Sequence, residues 1–198
     1  MDRKAALQNK ESYDLYQSLT QLHLHLDEAF QQQFTRSLPF NDEVFDRWER
    51  ANALGFGEGS SIYDSSYVFG KVEVGKDTWI GPFTIIDGSG GLSIGSNCTV
   101  AVGTHIYTHD NVGQTVTGGK MPIQRQAVTI GNCTYIGPNS IISKGISIGS
   151  HCIIGANSFV NSSLPDFSVA TGSPAKVSGK VILDGEGYSI EYFKPKGG

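Results

Sequence analysis

The sequence predicts a mainly β fold, a parallel β-helix of hexapeptide repeats that follows an N-terminal α-helical segment. Two observations predict this fold: an aliphatic residue recurs at every sixth position over much of the chain, and leucines near the amino terminus follow helical spacing. A chain of 198 residues is long enough for one good-sized domain with a small appendage. We therefore expect an N-terminal helical segment at residues 1–60 and a β-helix domain at residues 61–198, with an excursion loop at residues 110–127.

The repeat starts near residue 66, slips by two residues before Ile94, and resumes at Ile130 after a longer interruption. A period of six matches neither the 3.6 residues of a helical turn nor the two-residue alternation of one strand, whereas a coil of short strands and turns accommodates it. Each aliphatic side chain then points inward and stacks on its equivalent in the next coil. The recurring aliphatic residues are Val68, Val74, Ile80, Ile86, Ile94, Val100, Ile106, Ile130, Ile136, Ile142, Ile148, Ile154 and Val160.

Glycine directly follows the aliphatic residue in most repeats, and a small residue recurs four places after the aliphatic residue. We expect the glycine to serve the tight backbone at the corners of the coil, and the small residue to fit inside the corner, where a larger side chain would clash with neighbouring coils. Cys98 and Cys152 occupy small positions and are predicted to be buried, whereas Cys133 falls one place earlier and is predicted to be partly exposed. The small residues are Thr78, Thr84, Cys98, Thr134, Ser140, Cys152 and Ser158.

The amino-terminal stretch, residues 5–35, has the pattern of an amphipathic helix, with apolar side chains that step by four and three. Pro39 separates it from a second predicted helix that starts at Asn41 and ends near Gly55. We expect both helices to pack on the rim of the coil or on a neighbouring subunit. The apolar stripe of the first helix consists of Leu15, Leu19, Leu22, Leu26 and Ala29.

Composition narrows the possible partners and the cellular compartment. The formal net charge of −4 and the lack of a basic stripe argue against nucleic acid and anionic membranes as partners. Three cysteines without a Cys-x-x-Cys pair argue against a disulfide framework and a thiolate zinc site. The start of the chain has no apolar core of signal-peptide length, and no run of about 18 apolar residues occurs. The sequence therefore predicts a soluble protein of the cytoplasm.

Two segments break the repeat, and breaks in a solenoid commonly carry function. The first is the glycine-rich slip Asp87 to Gly91, which either adjusts a corner or directs Asp87 toward a substrate. The second, Asn111 to Ala127, is polar and contains several glycines. A polar loop of that length inside a compact solenoid is uncommon unless it is functional. His105 and His109 stand immediately before this loop.

Histidine is the side chain best suited to proton transfer near neutral pH, so these two residues are the candidate general bases. Transfer of a group to a hydroxyl acceptor needs a base for the hydroxyl proton and donors for the negative charge that develops in the transition state. No Ser-His-Asp set is evident in the sequence. Direct attack by the acceptor is therefore favoured over a covalent enzyme intermediate.

Three runs of the sequence occur in an order and spacing typical of one enzyme family. They are Ile106-Tyr107-Thr108-His109, Thr129-Ile130-Gly131-Asn132-Cys133-Thr134-Tyr135-Ile136-Gly137 and Gly172-Ser173-Pro174-Ala175-Lys176-Val177. With these runs, residues 66–180 resemble the hexapeptide-repeat acyltransferases of the maltose and galactoside O-acetyltransferase group. The resemblance implies a left-handed parallel β-helix, acetyl-CoA as co-substrate without a required metal, and a homotrimer with active sites between subunits. It also implies that the acceptor is a hydroxyl of a sugar or saccharide-containing molecule.

The resemblance assigns the family's catalytic histidine to His109. It implies acceptor contacts for Asp87 and Met121, which lie near the positions that touch the acceptor in sugar acetyltransferases. His105 has no counterpart in the family pattern, and we expect it to shape the acceptor site or to face solvent. The amino-terminal segment departs from the short helical cap of that group, which leaves the identity of the acceptor open.

For the coenzyme, Tyr135 stands where the family usually has a tryptophan beside the pantetheine arm. The resemblance further implies that the backbone near Gly155 and Ala156 runs along the coenzyme and that a lysine approaches its phosphates. Ser162-Ser163 stands where the family often has a Thr-Lys pair, which departs from the family's contact with the 3′-phosphate. The implied coenzyme residues are Tyr135, Gly155, Ala156, Lys176 and Lys180.

Two other functions stay open on the sequence alone. A γ-class carbonic anhydrase also uses a left-handed coil, with three histidines on zinc, but His105 and His109 are four positions apart rather than the usual five, and His151 lies two coils further on. The second alternative is a non-catalytic β-helix scaffold. Among acceptors for an acetyltransferase, the candidates are a polysaccharide or free saccharide, an amino sugar on a nucleotide, serine or an antibiotic, of which we favour a sugar hydroxyl.

Overall fold

The computed structural model describes Leu7 and residues 9–193, which divide into two compact units between Asp46 and Arg47. Residues 5, 6 and 8 of the first predicted helix lie outside the described residues. The helices are α1 (Lys10–Phe34), α2 (Phe40–Val44), α3 (Arg47–Ala53) and α4 (Val112–Val116). The strands before α4 are β1 (Ser61–Ile62), β2 (Tyr67–Val74), β3 (Trp79–Ile80), β4 (Ile85–Ile94), β5 (Thr99–Val100), β6 (His105–Ile106) and β7 (His109–Asp110). The later strands are β8 (Gln124–Arg125), β9 (Val128–Ile130), β10 (Tyr135–Ile136), β11 (Ile141–Ile142), β12 (Ser147–Ile148), β13 (Ile153–Ile154), β14 (Phe159–Val160), β15 (Ser168–Gly172), β16 (Ala175–Asp184) and β17 (Gly187–Tyr192).

The first predicted helix is α1, and it has clear signals at both ends. It begins where the side chain of Asn9 accepts a hydrogen bond of 2.7 Å from the backbone N–H of Ser12, and it ends at Thr35, whose backbone is left-handed with φ 54°. Within the first unit, Nδ1 of His23 lies 2.8 Å from Oε2 of Glu43 and so joins α1 to α2. Neither α1 nor any other helix of the described residues is long and apolar enough to cross a membrane.

The prediction of one continuous second helix is wrong. Two short helices, α2 and α3, occupy that stretch, because Phe45 takes an extended conformation with φ −105° and ψ 116° and ends α2. The break coincides with the division between the two units. In the second unit, Arg50 of α3 donates hydrogen bonds to the backbone oxygens of Tyr63 and Ser66. These bonds hold α3 on the first coil of the β-helix.

The β-helix has three faces, because each coil contributes strand residues to three stacks of parallel strands. The first face contains β1, β3, β5, β10, β13 and β15. The second face contains the first halves of β2 and β4 with β6, β11 and β14. The third face contains the second halves of β2 and β4 with β9 and β12. Ile136 pairs with Ile154 of the next coil, an interval of three six-residue repeats, which confirms the predicted fold class.

The predicted aliphatic ladder forms the core of the coil. Every predicted aliphatic position is buried except Val68, which is half-buried. The predicted small residues are also buried, which confirms that they occupy restricted positions inside the coil. Cys98 and Cys152 are buried and Cys133 is exposed, as predicted. Full burial of one aliphatic side chain contributes about 1.5–3 kcal/mol, so the stacked ladder is the main source of stability for the coil.

The repeat glycines do not adopt the left-handed backbone at the corners; they allow close contact between successive coils. The left-handed backbone falls two places after the glycine, at residues such as Asn97, Cys133 and His151 with φ of 56°, 55° and 57°. A Cβ added to Gly131 would lie 2.6 Å from the backbone nitrogen of Ser150 in the next coil. Glycine is therefore required because successive coils approach each other closely at this point.

A carboxy-terminal hairpin extends the first face beyond the last coil. β16 pairs antiparallel with β15, and β17 pairs antiparallel with β16. A cis peptide bond between Ser173 and Pro174 lies in the connection between β15 and β16. The hexapeptide pattern predicts no element after Lys180, so the structure adds most of this hairpin to the predicted fold.

Candidate functional site

His109 lies on β7, where the chain leaves the repeat. Its Nδ1 lies 2.7 Å from Oδ2 of Asp87, and its side chain is 39% exposed. Asp87 lies on β4, one coil earlier on the second face. The two residues meet because Ile86 and Ile106 are register partners, so the residue after Ile86 lies beside the strand that leads to His109.

Asp87 is almost completely buried, with 1% of its side chain exposed, and both of its oxygens accept hydrogen bonds. Oδ1 accepts from the backbone N–H of Ser89, and Oδ2 accepts from both the backbone N–H and the hydroxyl of Thr108. Burial raises the pKa of the Asp87 carboxyl, but hydrogen bonds from Ser89, Thr108 and His109 outweigh burial and hold this pKa well below its ordinary value. Asp87 is therefore ionised near neutral pH.

The glycine-rich slip lets this arrangement form. β4 runs through the slip without interruption, and its first half pairs with β6 while its second half pairs with β9. The backbone N–H of Gly90 donates to Oγ1 of Thr108 at 2.8 Å, and a Cβ on Gly90 would lie 2.4 Å from the backbone oxygen of Thr108. A glycine at this position therefore allows Thr108 to approach β4 and to hold the Asp87 carboxylate.

A cleft of about 430 Å³ lies beside His109. Its walls come from the coil of His109, from the excursion loop and from the next two coils. Tyr107, Ile141 and Phe159 supply ring and aliphatic surface, and Lys144 supplies a polar group. Because Asp87 occupies Nδ1 of His109, Nε2 is the ring nitrogen left for another partner. The arrangement can therefore hold a small molecule beside a side chain that is able to exchange a proton.

The excursion loop leaves the coil at β7 and returns through β8. His109 pairs with Arg125 in the antiparallel ribbon of β7 and β8, and α4 lies between these two strands in the chain. Oδ1 of Asp110 accepts a hydrogen bond from the backbone N–H of Val112, and Oδ2 forms an ion pair with Nζ of Lys144. The hydrogen bond from Lys144 and its positive charge hold the pKa of Asp110 below its ordinary value. This ion pair ties the base of the loop to the next coil.

His105 and Met121, both predicted to contact the acceptor, lie in different surroundings. His105 is on β6, and its Nδ1 lies 3.1 Å from the hydroxyl of Tyr107, which lines the cleft. Met121 lies in the excursion loop with its side chain beside Gly113, and its backbone N–H donates to the hydroxyl of Thr117. The described cleft is lined by neither of these two residues, although His105 reaches its edge through Tyr107.

The predicted coenzyme residues lie on strands of the first face or at the corner after β13, and none of them lines the cleft beside His109. Tyr135 on β10 lines a second groove, of about 590 Å³, between the first face and the carboxy-terminal hairpin. Gly155 and Ala156 follow β13, and Lys176 and Lys180 are exposed on β16. These elements belong to one sheet, in which β10, β13, β15 and β16 are consecutive strands. The structure therefore separates the predicted site residues of one chain into two groups.

Lys144 and Phe159 are cleft residues that the sequence analysis does not single out. The pairing register of the strands on the second face is the signal that could have identified these two residues. Ile142 pairs with Ile106 on the second face, and Phe159 pairs with Ile141. Residues just after Ile142 therefore lie at the same end of the strands as the start of the excursion loop.

The histidines considered for a zinc site have separate partners. His105 contacts a tyrosine and His109 contacts a carboxylate, whereas His151 stacks on Phe167 with ring centroids 5.0 Å apart. Within residues 9–193, no group of three or more His, Cys, Asp and Glu side chains is arranged to hold a metal ion.

Two family models match the repeat region. The model described as bacterial transferase hexapeptide (six repeats) matches residues 127–162. The model described as hexapeptide repeat of succinyl-transferase matches residues 71–108. The two matches lie on either side of the excursion loop, so both runs of coils match models of hexapeptide repeats.

Solved structures with a similar fold include several acyltransferases. AntD, an N-acyltransferase from Bacillus cereus in complex with dTDP and 3-hydroxybutyryl-CoA, is 22% identical, with a TM-score of 0.56 over 67% of this chain and 89% of that chain. The hexapeptide-repeat containing acetyltransferase VCA0836 from Vibrio cholerae is 22% identical, with a TM-score of 0.55 over 81% of this chain and 89% of that chain. A maltose O-acetyltransferase from Clostridium difficile 630 is 26% identical, with a TM-score of 0.51 over 79% of this chain and 86% of that chain. Taken with the repeat, the two model matches show hexapeptide repeats in both runs of coils, and the solved structures show that the fold is similar to that of hexapeptide-repeat acyltransferases.

Proposed function

We propose that the protein transfers the acetyl group of acetyl-CoA to a hydroxyl of a sugar or saccharide-containing acceptor, with His109 as the general base. The observation that carries this proposal is the 2.7 Å contact between Nδ1 of His109 and the buried Asp87 carboxylate, at the edge of a cleft. The 26% identity to a maltose O-acetyltransferase supports a sugar hydroxyl as the acceptor.

His109 is suited to this role because one of its two ring nitrogens is free. Its Nδ1–H donates to the ionised Asp87, which leaves the lone pair of Nε2 for the acceptor hydroxyl. Acetyl-CoA, when bound, supplies the acetyl thioester. His109 takes the hydroxyl proton as the acceptor oxygen bonds to the acetyl carbon, and returns it to the sulfur as the carbon–sulfur bond breaks. The acceptor attacks directly, without a covalent enzyme intermediate.

Asp87 acts through His109 in this proposal. Its burial and its hydrogen bonds with Ser89 and Thr108 support a positioning role more than the acceptor contact that the family resemblance implies. An ionised carboxylate on Nδ1 holds the ring in one orientation and stabilises the imidazolium that forms when Nε2 takes a proton.

We assign the coenzyme to the first face. Tyr135 packs against the pantetheine arm, the backbone at Gly155 and Ala156 follows the arm, and Lys176 and Lys180 approach the phosphates. These residues are on a different face from His109 within one chain. The proposal therefore needs a neighbouring subunit, and we propose a homotrimer in which the first face of one chain meets the second face of the next.

The remaining assignments concern the acceptor and the domain. His105 and Met121 border the acceptor, His105 through the hydroxyl of Tyr107 and Met121 from the excursion loop. Residues 61–198 form the acetyltransferase domain, with its excursion loop at residues 110–127. We assign residues 1–60 to an N-terminal segment outside the chemistry, and we propose that the protein acts in the cytoplasm.

An assay of acetyl transfer from acetyl-CoA to a panel of saccharides tests the proposal. The release of the free thiol of CoA measures the transfer. We expect His109→Ala to keep the fold and coenzyme binding while turnover falls by a factor of about 100 to 10,000, the usual contribution of a general base. Asp87→Asn should also lower turnover, because an amide cannot stabilise the imidazolium as a carboxylate does. His25→Ala, at an exposed position of α1, is the matched control and should keep full turnover. Full turnover by His109→Ala would show that the base is misassigned and would make His105 the next candidate.

A further inference from the structure

Arg125 lies directly opposite His109 in the ribbon of β7 and β8. Side chains of directly paired residues in antiparallel strands project from the same face, with their Cβ atoms about 4.5–5.5 Å apart. Ile123, two residues before Arg125 in the chain, lines the cleft together with His109. Arg125 therefore lies at the rim of the cleft, on the side of the proposed base.

The guanidinium of Arg125 has no acidic partner within residues 9–193. Arg125 is exposed, and the ion pairs described within residues 9–193 do not include it. The carboxylates nearby in the chain have other partners: Asp110 is paired with Lys144, and Asp87 is buried against His109 and Thr108. The chain as a whole has a net charge of −4, so an anion gains no general attraction to it. The positive charge of Arg125 beside His109 is therefore a property of this site and not of the chain as a whole.

We propose that Arg125 binds an anionic group, a carboxylate or a phosphate, that the acceptor of the acetyl group carries. This inference rests on the proposed function of His109. The planar guanidinium presents paired N–H donors that match the oxygens of a carboxylate or a phosphate. The acceptor must lie within hydrogen-bond distance of Nε2 of His109, so a charged group on the same sugar reaches a residue on the adjacent strand.

The geometry favours the acceptor over the donor as the molecule that Arg125 binds. The phosphates of acetyl-CoA are separated from its thioester by the whole pantetheine arm. At the moment of transfer the thioester is beside His109, so the phosphates lie away from a residue that pairs with His109. An anionic group on the acceptor has no such separation from the reacting hydroxyl.

Steady-state acetyl transfer to glucose, glucuronate and glucose 1-phosphate tests this inference. The proteins compared are wild type, Arg125→Gln, Arg125→Lys and the control Lys120→Gln, which removes another exposed cation of the same loop. Arg125→Gln should raise the KM of the preferred charged acceptor about 10- to 100-fold, the usual effect of losing a charged hydrogen bond, while kcat changes little. The KM values of glucose and acetyl-CoA should stay unchanged, and Arg125→Lys should restore part of the affinity.

The two charged acceptors distinguish a carboxylate from a phosphate, because the one with the larger Arg125-dependent change in KM carries the recognised group. Transfer to glucose with no preference for either charged acceptor would overturn this inference and leave the proposed function standing. A rise in the KM of acetyl-CoA in Arg125→Gln would also overturn it, since the arginine would then bind the donor. Absence of transfer to all three acceptors by the wild type, with no thiol release, would count against the proposed function itself.

Discussion

At the residue scale, the chemistry of the site depends on how one buried carboxylate is held. Ser89 and Thr108 donate hydrogen bonds to Asp87, and Asp87 in turn fixes Nδ1 of His109. A carboxylate with 1% exposure stays ionised only because these donors compensate for the loss of water. The orientation of the base is therefore linked to the stability of the coil around it.

This linkage predicts a pH dependence of stability. The folded pKa of Asp87 lies below its unfolded value of about 3.9, so the unfolded state takes up a proton at a higher pH than the native state does. The stabilising contribution of Asp87 is complete above the unfolded pKa and is lost as pH falls through the lower folded pKa. Urea unfolding of wild type and Asp87→Asn between about pH 6 and pH 2 should show a shallower loss of unfolding free energy in the variant.

Asp184→Asn is the matched control for this measurement, because the Asp184 side chain is exposed at the hairpin turn. It should leave the wild-type pH dependence unchanged. If the unfolding free energy fell equally steeply with decreasing pH in wild type and Asp87→Asn, the result would contradict a strongly hydrogen-bonded Asp87 carboxylate in the native state.

The identity of the candidate site residues was partly predictable from the sequence, but their contact was not. His109 and Asp87 are both predicted from the breaks in the repeat, yet they are separated by 22 positions, and a two-residue slip lies between them. Their meeting depends on the register that stacks Ile86 on Ile106. Periodicity alone indicates which residues point inward and does not indicate which side chains outside the ladder are in contact.

At the element scale, the excursion loop is anchored at its base. The ribbon of β7 and β8 closes the loop, and the ion pair between Asp110 and Lys144 joins it to the next coil. The Lys144 side chain is 17% exposed, so this pair is less screened by solvent than a fully exposed one.

Loss of the ion pair should loosen the loop without unfolding the coil. In Lys144→Met we expect backbone amides of residues 111–121 to exchange hydrogen about two- to fivefold faster, while amides of the strands keep their protection. Hydrogen–deuterium exchange read by mass spectrometry measures this change. Lys71→Met, which removes an exposed ion pair with Glu73, is the control and should leave the loop unchanged. Faster exchange throughout the coil would show that Lys144 supports the fold and not the loop.

Elements with a repeated pattern were predicted best. The coil was predictable because each six-residue unit has the same local requirements, whereas the break between α2 and α3 depends on the extended conformation of the single residue Phe45. The carboxy-terminal hairpin lies outside the repeat. Its two-residue loop is Gly185-Glu186, and Gly185 has φ 58°, a conformation for which hairpin turns commonly use glycine at the first loop position. That signal was present in the sequence but is weaker than thirteen aligned aliphatic positions.

At the scale of the whole molecule, the proposed acetyl transfer uses two faces of the β-helix. The candidate base and its carboxylate are on the second face and the ribbon beside it, and the residues assigned to the coenzyme are on the first face. In this proposal, one chain presents two halves of a site, and the trimer joins them. The family resemblance implies active sites between subunits, which is the arrangement that the proposal adopts.

Isothermal titration calorimetry of the 198-residue chain with acetyl-CoA tests the central claim most directly, because it needs no knowledge of the acceptor. The account predicts saturable binding, equimolar with the chain, that persists in His109→Ala and weakens in Tyr135→Ala. Absence of saturable binding to the wild type would contradict an acetyltransferase function and would leave the β-helix as a scaffold.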